Sequence, residues 1–278
     1  MNLLFDIGGT HLRAALSSNE NSLGEEIVKN TPQNFNEVVS LISGIKEELV
    51  GEQTLESCVV GVAGVLNSEK SELLFSPNLP EWVNIPLKIK LAEVLGVNVS
   101  LENDAALAGL GEAIYGSGKD YKIVAYLTIG TGVGGVRIVN GKIDEKTLGF
   151  EPGHQIIDSD GTITGEMTDL EGLVAGMGLE KRFKLKPEDI KDVKAWDDVC
   201  KYLAIGINNT VLHWSPEVVV LGGGLINEGA IDIEKVKSYF YELLRTFPQK
   251  PNVIKATLGD KVGLYGALAY LKSLNLKP

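Results

Sequence analysis

Asp6 is followed by Gly8, Gly9 and Thr10 in the stretch DIGGTHLR at 6–13. Glycines there permit a tight turn whose backbone N–H groups come close to a bulky anion. Phosphoryl transfer asks little covalent work of a protein: phosphates held by N–H groups, a magnesium ion, and a base aligned with the attacking hydroxyl. Asp6 stands where a carboxylate ligand of magnesium usually does, beside the phosphates and typically through water. Asp and Gly are also ordinary turn residues, so Asp6 taken alone reads equally as a brace for the turn. A second glycine turn, TIGTGVGG at 128–135, with Gly130, Gly132 and Gly134, favours the phosphate reading.

GTGVGG from Gly130 also satisfies the dinucleotide pattern G-x-G-x-x-G. That fingerprint must open a helix whose N-terminus holds the pyrophosphate, whereas Val136-Arg137-Ile138-Val139 is β-branched and runs into Asn140-Gly141, a type I′ hairpin signal. The glycines therefore belong to a β-turn. Gly116-Ser117-Gly118-Lys119 resembles the end of a Walker loop, but Ala113 stands at the first glycine and Asp120 follows the lysine.

Other residues carry chemistry less openly. Asn103-Asp104 precedes AALAGLGEAIYG, a strong helix, and an Asp at such a point reads first as a helix cap. His154 in a loop reads as readily structural as ligand-binding, and Glu171 reads as a solvated helix charge. Gly222-Gly223-Gly224 after the apolar run Val218–Leu221 exceeds the single glycine that a plain strand-to-helix turn needs.

The elements that must position these residues are short apolar runs bounded by glycine, alternating with helical patterns. Strands are predicted at Asn2–Phe5, Leu12–Leu16, Ser57–Val62, Ile123–Ile129, Gly135–Val139 and Glu217–Leu221. Helices are predicted at 35–50, 86–96, 104–115, 196–213, 234–246 and 261–274. The mixture argues an α/β or α+β protein. Strand, glycine turn, strand occurs twice, as LLFDIGGTHLRAAL and AYLTIGTGVGGVRIV, which implies two related halves.

With 278 residues, 44% of them hydrophobic, the chain is long and apolar enough for two packed domains. A net charge of -11 and no Lys/Arg run longer than two leave no basic footprint for nucleic acid or anionic membranes. The N-terminus lacks the features of a signal peptide and no apolar run reaches the roughly 20 residues of a membrane span, so a cytoplasmic location is expected. Two cysteines, Cys58 and Cys200, cannot supply a disulfide framework or a four-thiolate metal site.

Six motifs occur in the order seen in the ROK family of repressors, open-reading-frame proteins and sugar kinases. They are DIGGTHLR (6–13), PNLPEW (77–82), ENDAALAGLGEA (102–113), TIGTGVGG (128–135), EPGH (151–154) and VVLGGG (219–224). The resemblance covers nearly the whole chain, and its motifs are collectively specific. It implies two ribonuclease-H-like domains of the actin-like ATPase fold shared by sugar kinases, heat-shock chaperones and actin, with the active site in the cleft between them. The smaller domain would be 1–104 plus 262–278, with the final helix returning to it, and the larger 105–261.

The resemblance further implies a hexose kinase using ATP and Mg2+, with Asp104 as the general base. Gly64, Asn78, Asn103, Asp104, Glu151, His154 and Glu171 would face the sugar. Gly8, Gly9, Thr10, Thr131, Gly132, Gly223 and Gly224 would line the nucleotide, and Asp6 would serve magnesium. Carboxylates and amides suit vicinal hydroxyls, because a ligand without those hydroxyls leaves buried polar groups unpaired. Glucose is the first-choice substrate; fructose, mannose, allose and N-acetylmannosamine are alternatives, as is a non-catalytic sugar-binding role. ATP is preferred to polyphosphate as donor because the chain is acidic. A homodimer is expected by analogy.

Two departures stand out. Most family members follow the histidine with a C-x-C-G-x-x-G-C cluster that binds structural zinc, and that histidine is itself a ligand. Here the segment reads DSDGTITGEMTDLEG, without cysteine, so no zinc is expected and another contact must hold His154. Ala63 replaces the proline that many relatives carry before the glycine at 64. The family's repressors carry a helix-turn-helix ahead of the first hairpin; with Met1–Phe5 alone before Asp6, a DNA-binding role is not expected. Chaperone-type or filament-forming ATPases share the glycine hairpins but have no use for E-x-G-H.

Overall fold

The computed structural model describes residues 1–18 and 22–275. It divides into two units, Met1–Ile114 with Glu145–Gly149 and Asp260–Pro278, and Tyr115–Asp144 with Phe150–Gly259. Residues 276–278 of the expected first domain lie outside the described residues.

In the first unit, strands β1 (Asn2–Ile7), β2 (His11–Ser17), β3 (Glu26–Asn30), β4 (Ser57–Val62) and β7 (Asn98–Asn103) form one sheet, and β5 (Val65–Leu66) pairs with β6 (Leu73–Phe75). The sheet order is β3-β2-β1-β4-β7; β1 runs antiparallel to β2 and parallel to β4. β1 is central and covered on both sides, which is why NLLFDI reads as a nearly continuous apolar run. Helices α1 (Phe35–Val50) and α2 (Leu87–Leu95) bury Val38, Ile42, Leu87 and Leu91 against it. Asn34 caps α1, its side chain accepting the Asn36 N–H at 2.9 Å.

Helix α3 (Asp104–Ile114) follows β7 directly, and the last helix of the chain, α9 (Val262–Asn275), packs on it and on β1. Their apolar residues Leu107, Leu110, Leu264 and Leu268 are buried. The division consequently falls after Ile114, whereas the sequence reading set it after Asp104: α3 stays with the sheet that it and α9 cover.

The second unit repeats the plan. Strands β8 (Ile123–Ile129), β9 (Val133–Val139), β10 (Lys142–Ile143), β13 (Val218–Gly222) and β14 (Asn252–Lys255) are ordered β10-β9-β8-β13-β14, with the same antiparallel and parallel senses. β11 (Ile156–Asp158) and β12 (Thr168–Asp169) make a separate hairpin. Helices α4 (Leu170–Val174), α5 (Gly176–Phe183), α6 (Val193–Trp214), α7 (Gly224–Asn227) and α8 (Ile233–Leu243) complete the unit. Leu170, Leu203, Ile207, Val236 and Phe240 close the core over Ala125, Leu127 and Ile129.

Equal strand order around two glycine turns is what the internal repeat implies. The β9–β10 connection has Asn140 at φ 51° and Gly141 at φ 70°, both positive as a type I′ turn requires. Strands β3, β7 and β14 escape the sequence reading: Glu26–Asn30 is polar and half exposed, and Asn98–Asn103 and Asn252–Lys255 are short with polar ends. No helix among the described residues is long and apolar enough to cross a membrane.

Candidate active site

The first glycine turn is drawn tight by a 3.0 Å bond from the Gly8 N–H to the His11 carbonyl. Thr31, just past β3, fixes the turn from outside, donating through Oγ1 to the Gly8 carbonyl at 2.8 Å and through its N–H to the Thr10 carbonyl at 2.9 Å. Gly9 packs on the Asn78 side chain so closely that an added Cβ would lie 2.5 Å from it. DIGGT and PNLPEW, far apart in sequence, thus meet.

Asp6, next to last in β1, lies opposite Arg13 on β2. Its carboxyl is pushed up to about 7, first by burial and then by the charge of Asp104, with Arg13 opposing. Gly263 of α9 abuts the same carboxyl with no room for a side chain. Asp6 and Asp104 feel each other's charge, so this end of the sheet offers carboxylate oxygens of the kind hard cations take. That chemistry fits magnesium near Asp6.

Asp104 is the first residue of α3, yet Asn103 caps the helix, its Oδ1 accepting the Ala106 N–H at 2.9 Å. Asn103 Nδ2 donates to the Gly64 carbonyl at 3.0 Å and to Asp104 Oδ1 at 3.1 Å. Asp104 Oδ1 also accepts the Ala105 N–H at 2.8 Å, which aims the carboxylate from two sides. Burial raises the Asp104 carboxyl to about 6 against the lowering effect of that N–H. Asn103 spends its amide on the protein and keeps one acceptor lone pair. Ala63, beside Gly64, donates its N–H to the Ile7 carbonyl at 3.0 Å, a bond proline could not make.

Behind this row lies Glu102, 1% exposed, a residue the sequence reading passed over. It pairs with Lys70 at 2.5 Å and Lys146 at 3.2 Å and accepts the Asn103 N–H at 3.0 Å. Buried glutamates need such partners, and here they anchor the end of β7 that carries Asn103 and Asp104.

In the second unit, Gly130, Thr131 and Gly132 turn between β8 and β9, the Gly130 N–H donating to the Gly132 carbonyl at 3.0 Å. The N–H groups of Gly176 and Met177 at the start of α5 donate to the carbonyls of Gly130 and Thr131. Gly223, with φ 92°, and Gly224 begin α7 against this turn. A side chain at 223 would strike the backbone of Ile129 and would be strained by the positive φ. The GGG and GTG turns are therefore neighbours.

Pro152, Gly153 and His154 form a short 3-10 turn after Glu151. Gly153 lies on the Val133 carbonyl at a distance only glycine allows, which docks E-P-G-H onto β9. Gln155, also missed from sequence, pins this turn to α6: its amide donates to the Pro152 carbonyl at 2.7 Å and accepts from Asn209 at 2.9 Å. Glu171 stands in the first turn of α4, and its Oε2 accepts the Val133 N–H at 2.7 Å, so it braces the glycine turn as well as lying near His154.

Asp169 holds His154, the two meeting through Nδ1 and Oδ2 at 2.9 Å. This bond raises the imidazole's pKa, opposed by burial and aided by the charges of Glu171, Asp169 and Glu151. The turn between β11 and β12 wraps around Asp158, 2% exposed, whose carboxylate accepts the N–H groups of Thr162 at 3.0 Å, Ile163 at 2.9 Å and Thr164 at 3.2 Å. Those contacts hold the Asp158 pKa below its ordinary value against burial. Among the described residues no group of three or more His, Cys, Asp or Glu is placed to hold a metal, and Cys58 and Cys200 are free and buried.

A sequence profile of the ROK family matches residues 3–273. The chain is 27% identical to the glucokinase of Streptomyces coelicolor, over 94% of each chain. It is 28% identical to the N-acetyl-D-glucosamine kinase of Vibrio atlanticus, over 95% of this chain and 97% of that one. Its fold superposes on the crystal structure of the ROK hexokinase from Thermus thermophilus with TM-score 0.83 and 28% identity, over 98% and 99% of the two chains. The repeated sheet is that of the actin-like ATPase fold, built from two ribonuclease-H-like domains, and with the profile spanning nearly all its length the chain belongs to the ROK family.

Proposed function

We propose that this ROK sugar kinase transfers the γ-phosphoryl group of ATP to a hexose hydroxyl, glucose first, with Asp104 as general base. The observation carrying this reading is the Asp104 carboxylate, aimed by Asn103 and Ala105 and raised to about 6, the range in which a base is ionised at neutral pH yet still basic. Asp104 takes the proton of the attacking hydroxyl, a role worth roughly 10²- to 10⁴-fold in rate.

Glu151, His154 and Glu171 receive the remaining hydroxyls, and Asn78 and the backbone of Gly64 help frame the sugar; the loss of any hydroxyl partner leaves polar groups unpaired. Gly8 closes the first turn so that the N–H groups of Gly9 and Thr10, with those of Thr131 and Gly132, would face the phosphates, and Gly223-Gly224 would lie along the adenosine. Asp6 would hold magnesium, most simply through water, and the charge such an ion supplies would offset that on the transferred phosphoryl oxygens. Glucokinase and N-acetylglucosamine kinase relatives at similar identity support a hexose and leave the choice between sugars to measurement.

Sugar-dependent ADP release with Mg·ATP, across glucose, fructose, mannose, allose, N-acetylglucosamine and N-acetylmannosamine, tests the reading. A signal that requires one or several hexoses is expected. ADP release equal in the no-sugar control, or none with any sugar, would overturn it.

A further inference from the structure

The carboxylate of Asp169 has two separate jobs. Oδ1 accepts the Gly172 N–H at 2.9 Å, capping α4, while Oδ2 meets His154 Nδ1 at 2.9 Å. An ionised carboxylate only accepts, so the neutral imidazole carries its proton on Nδ1 and offers the lone pair of Nε2 to another partner. The helix that Asp169 caps begins with Leu170 and Glu171, so one side chain sets the ring of His154 and the start of the segment carrying Glu171. Asp169 belongs to β12, whose partner strand β11 follows His154 within a few residues, and the turn joining them is closed around Asp158.

We propose that Asp169 is a positioning residue for the sugar: it fixes the tautomer and direction of His154 so that Nε2 accepts a sugar hydroxyl, and Asp158 keeps the hairpin on which Asp169 rides. The inference rests on the sugar-kinase reading for its substrate, but not for the state of the ring. A histidine with Nε2 unprotonated accepts a hydroxyl proton; the opposite tautomer can only donate, and the hydroxyl must then turn to a different partner. The half-exposed ring of His154, at 47%, leaves Nε2 open to a ligand while Nδ1 stays bound. Charges from Glu151 and Glu171 surround the ring, so its proton count, unlike its direction, depends on pH.

Asp169→Asn separates the two jobs, because the amide oxygen still accepts from Gly172 while the amide nitrogen donates to Nδ1 and drives the ring to the Nε2–H form. The expected result is a sugar kcat/KM reduced roughly 10- to 100-fold, carried mainly by sugar KM, the loss seen when the partner that orients a ligand histidine is removed. KM for ATP and the melting temperature should stay near wild type. In a His154→Gln background the same substitution should cost less than threefold, since it acts through the ring. Sugar KM within twofold of wild type, or full additivity with His154→Gln, would overturn the proposal.

Long-range ¹H–¹⁵N spectra of the ligand-free protein above the titration of His154 provide an arm that needs no turnover. His154→Gln identifies its signals among the three histidines. Wild type should show the Nδ1–H tautomer and Asp169→Asn the Nε2–H tautomer. An Nε2–H ring in wild type would sink the proposal; an Nδ1–H ring in a protein inert toward every sugar would sink the kinase reading and leave the ring geometry standing.

Discussion

Asn103 donates a 3.1 Å hydrogen bond to Asp104 while its own oxygen caps α3 through Ala106. The cap and the reactive carboxylate are thus neighbouring residues with divided duties, and Asp104 is relieved of the N-cap position that its sequence context suggested. The Asp104 carboxylate is held by the helix without being consumed by it.

Asp104→Asn should therefore leave the fold and sugar affinity largely intact while lowering kcat by about two or more powers of ten. Steady-state kinetics with sugar binding by calorimetry checks this. Turnover near wild type would remove Asp104 from the role of base.

Acid should silence the enzyme at a higher pH than an ordinary aspartate would allow. Because the Asp104 carboxyl lies at about 6, its ionised fraction falls below that pH, and kcat/KM should drop about tenfold per pH unit there. A flat pH profile down to pH 5 would contradict the assignment.

Asp6 should cost stability. Its carboxyl is pushed up to about 7 in the fold against 3.8 for a free aspartate, so between those values the folded state holds a proton that the unfolded state has lost. Stability then falls as pH rises through that window, and the cost is complete above it. Asp6→Asn should melt higher than wild type at pH 8, with the gap closing toward pH 4, and should have lost activity. A lower melting temperature at pH 8 without magnesium would refute the electrostatic account.

Gly223→Ala introduces a Cβ against the Ile129 backbone at a φ of 92°. The turn must shift, and KM for ATP should rise at least about tenfold with sugar KM little changed. Equal effects on both substrates would argue that Gly223 serves the fold of the unit and not the nucleotide.

Asp158→Ala leaves the N–H groups of Thr162, Ile163 and Thr164 without their shared acceptor. The melting temperature should fall by a few degrees and sugar KM should rise, read by thermal denaturation and initial rates. Addition of chelator to wild type should change neither its melting temperature nor, with magnesium in excess, its sugar KM.

Elements whose burial is complete were legible without a structure: β1, β4, β8 and β13 are apolar runs because both faces are covered, and α1, α3 and α6 announce themselves by period and cap. β7 and β14 were not, since short strands with polar ends carry no clear alternation. Among site residues, glycine and the motif neighbours Asp6, Asp104, Glu151 and His154 stand in runs unusual enough to be picked out. Asp169, Gln155, Glu102 and Gly263 look ordinary in sequence, an N-cap, a loop amide, a strand charge and a helix glycine.

The sequence by itself determined the two halves and the two glycine turns, and it singled out the candidate reactive groups, because those depend on local periodicity and on chemistry that only certain side chains possess. Only the tertiary structure decided who holds whom: that Asn103 and not Asp104 caps α3, that Lys70 and Lys146 neutralise Glu102, and that Asp169 takes His154 where cysteines are absent. The cap is a choice between two adjacent residues that either could fill, and the other pairings join residues brought together by strand order and helix packing, whose separation along the chain leaves no period or spacing by which they could be read.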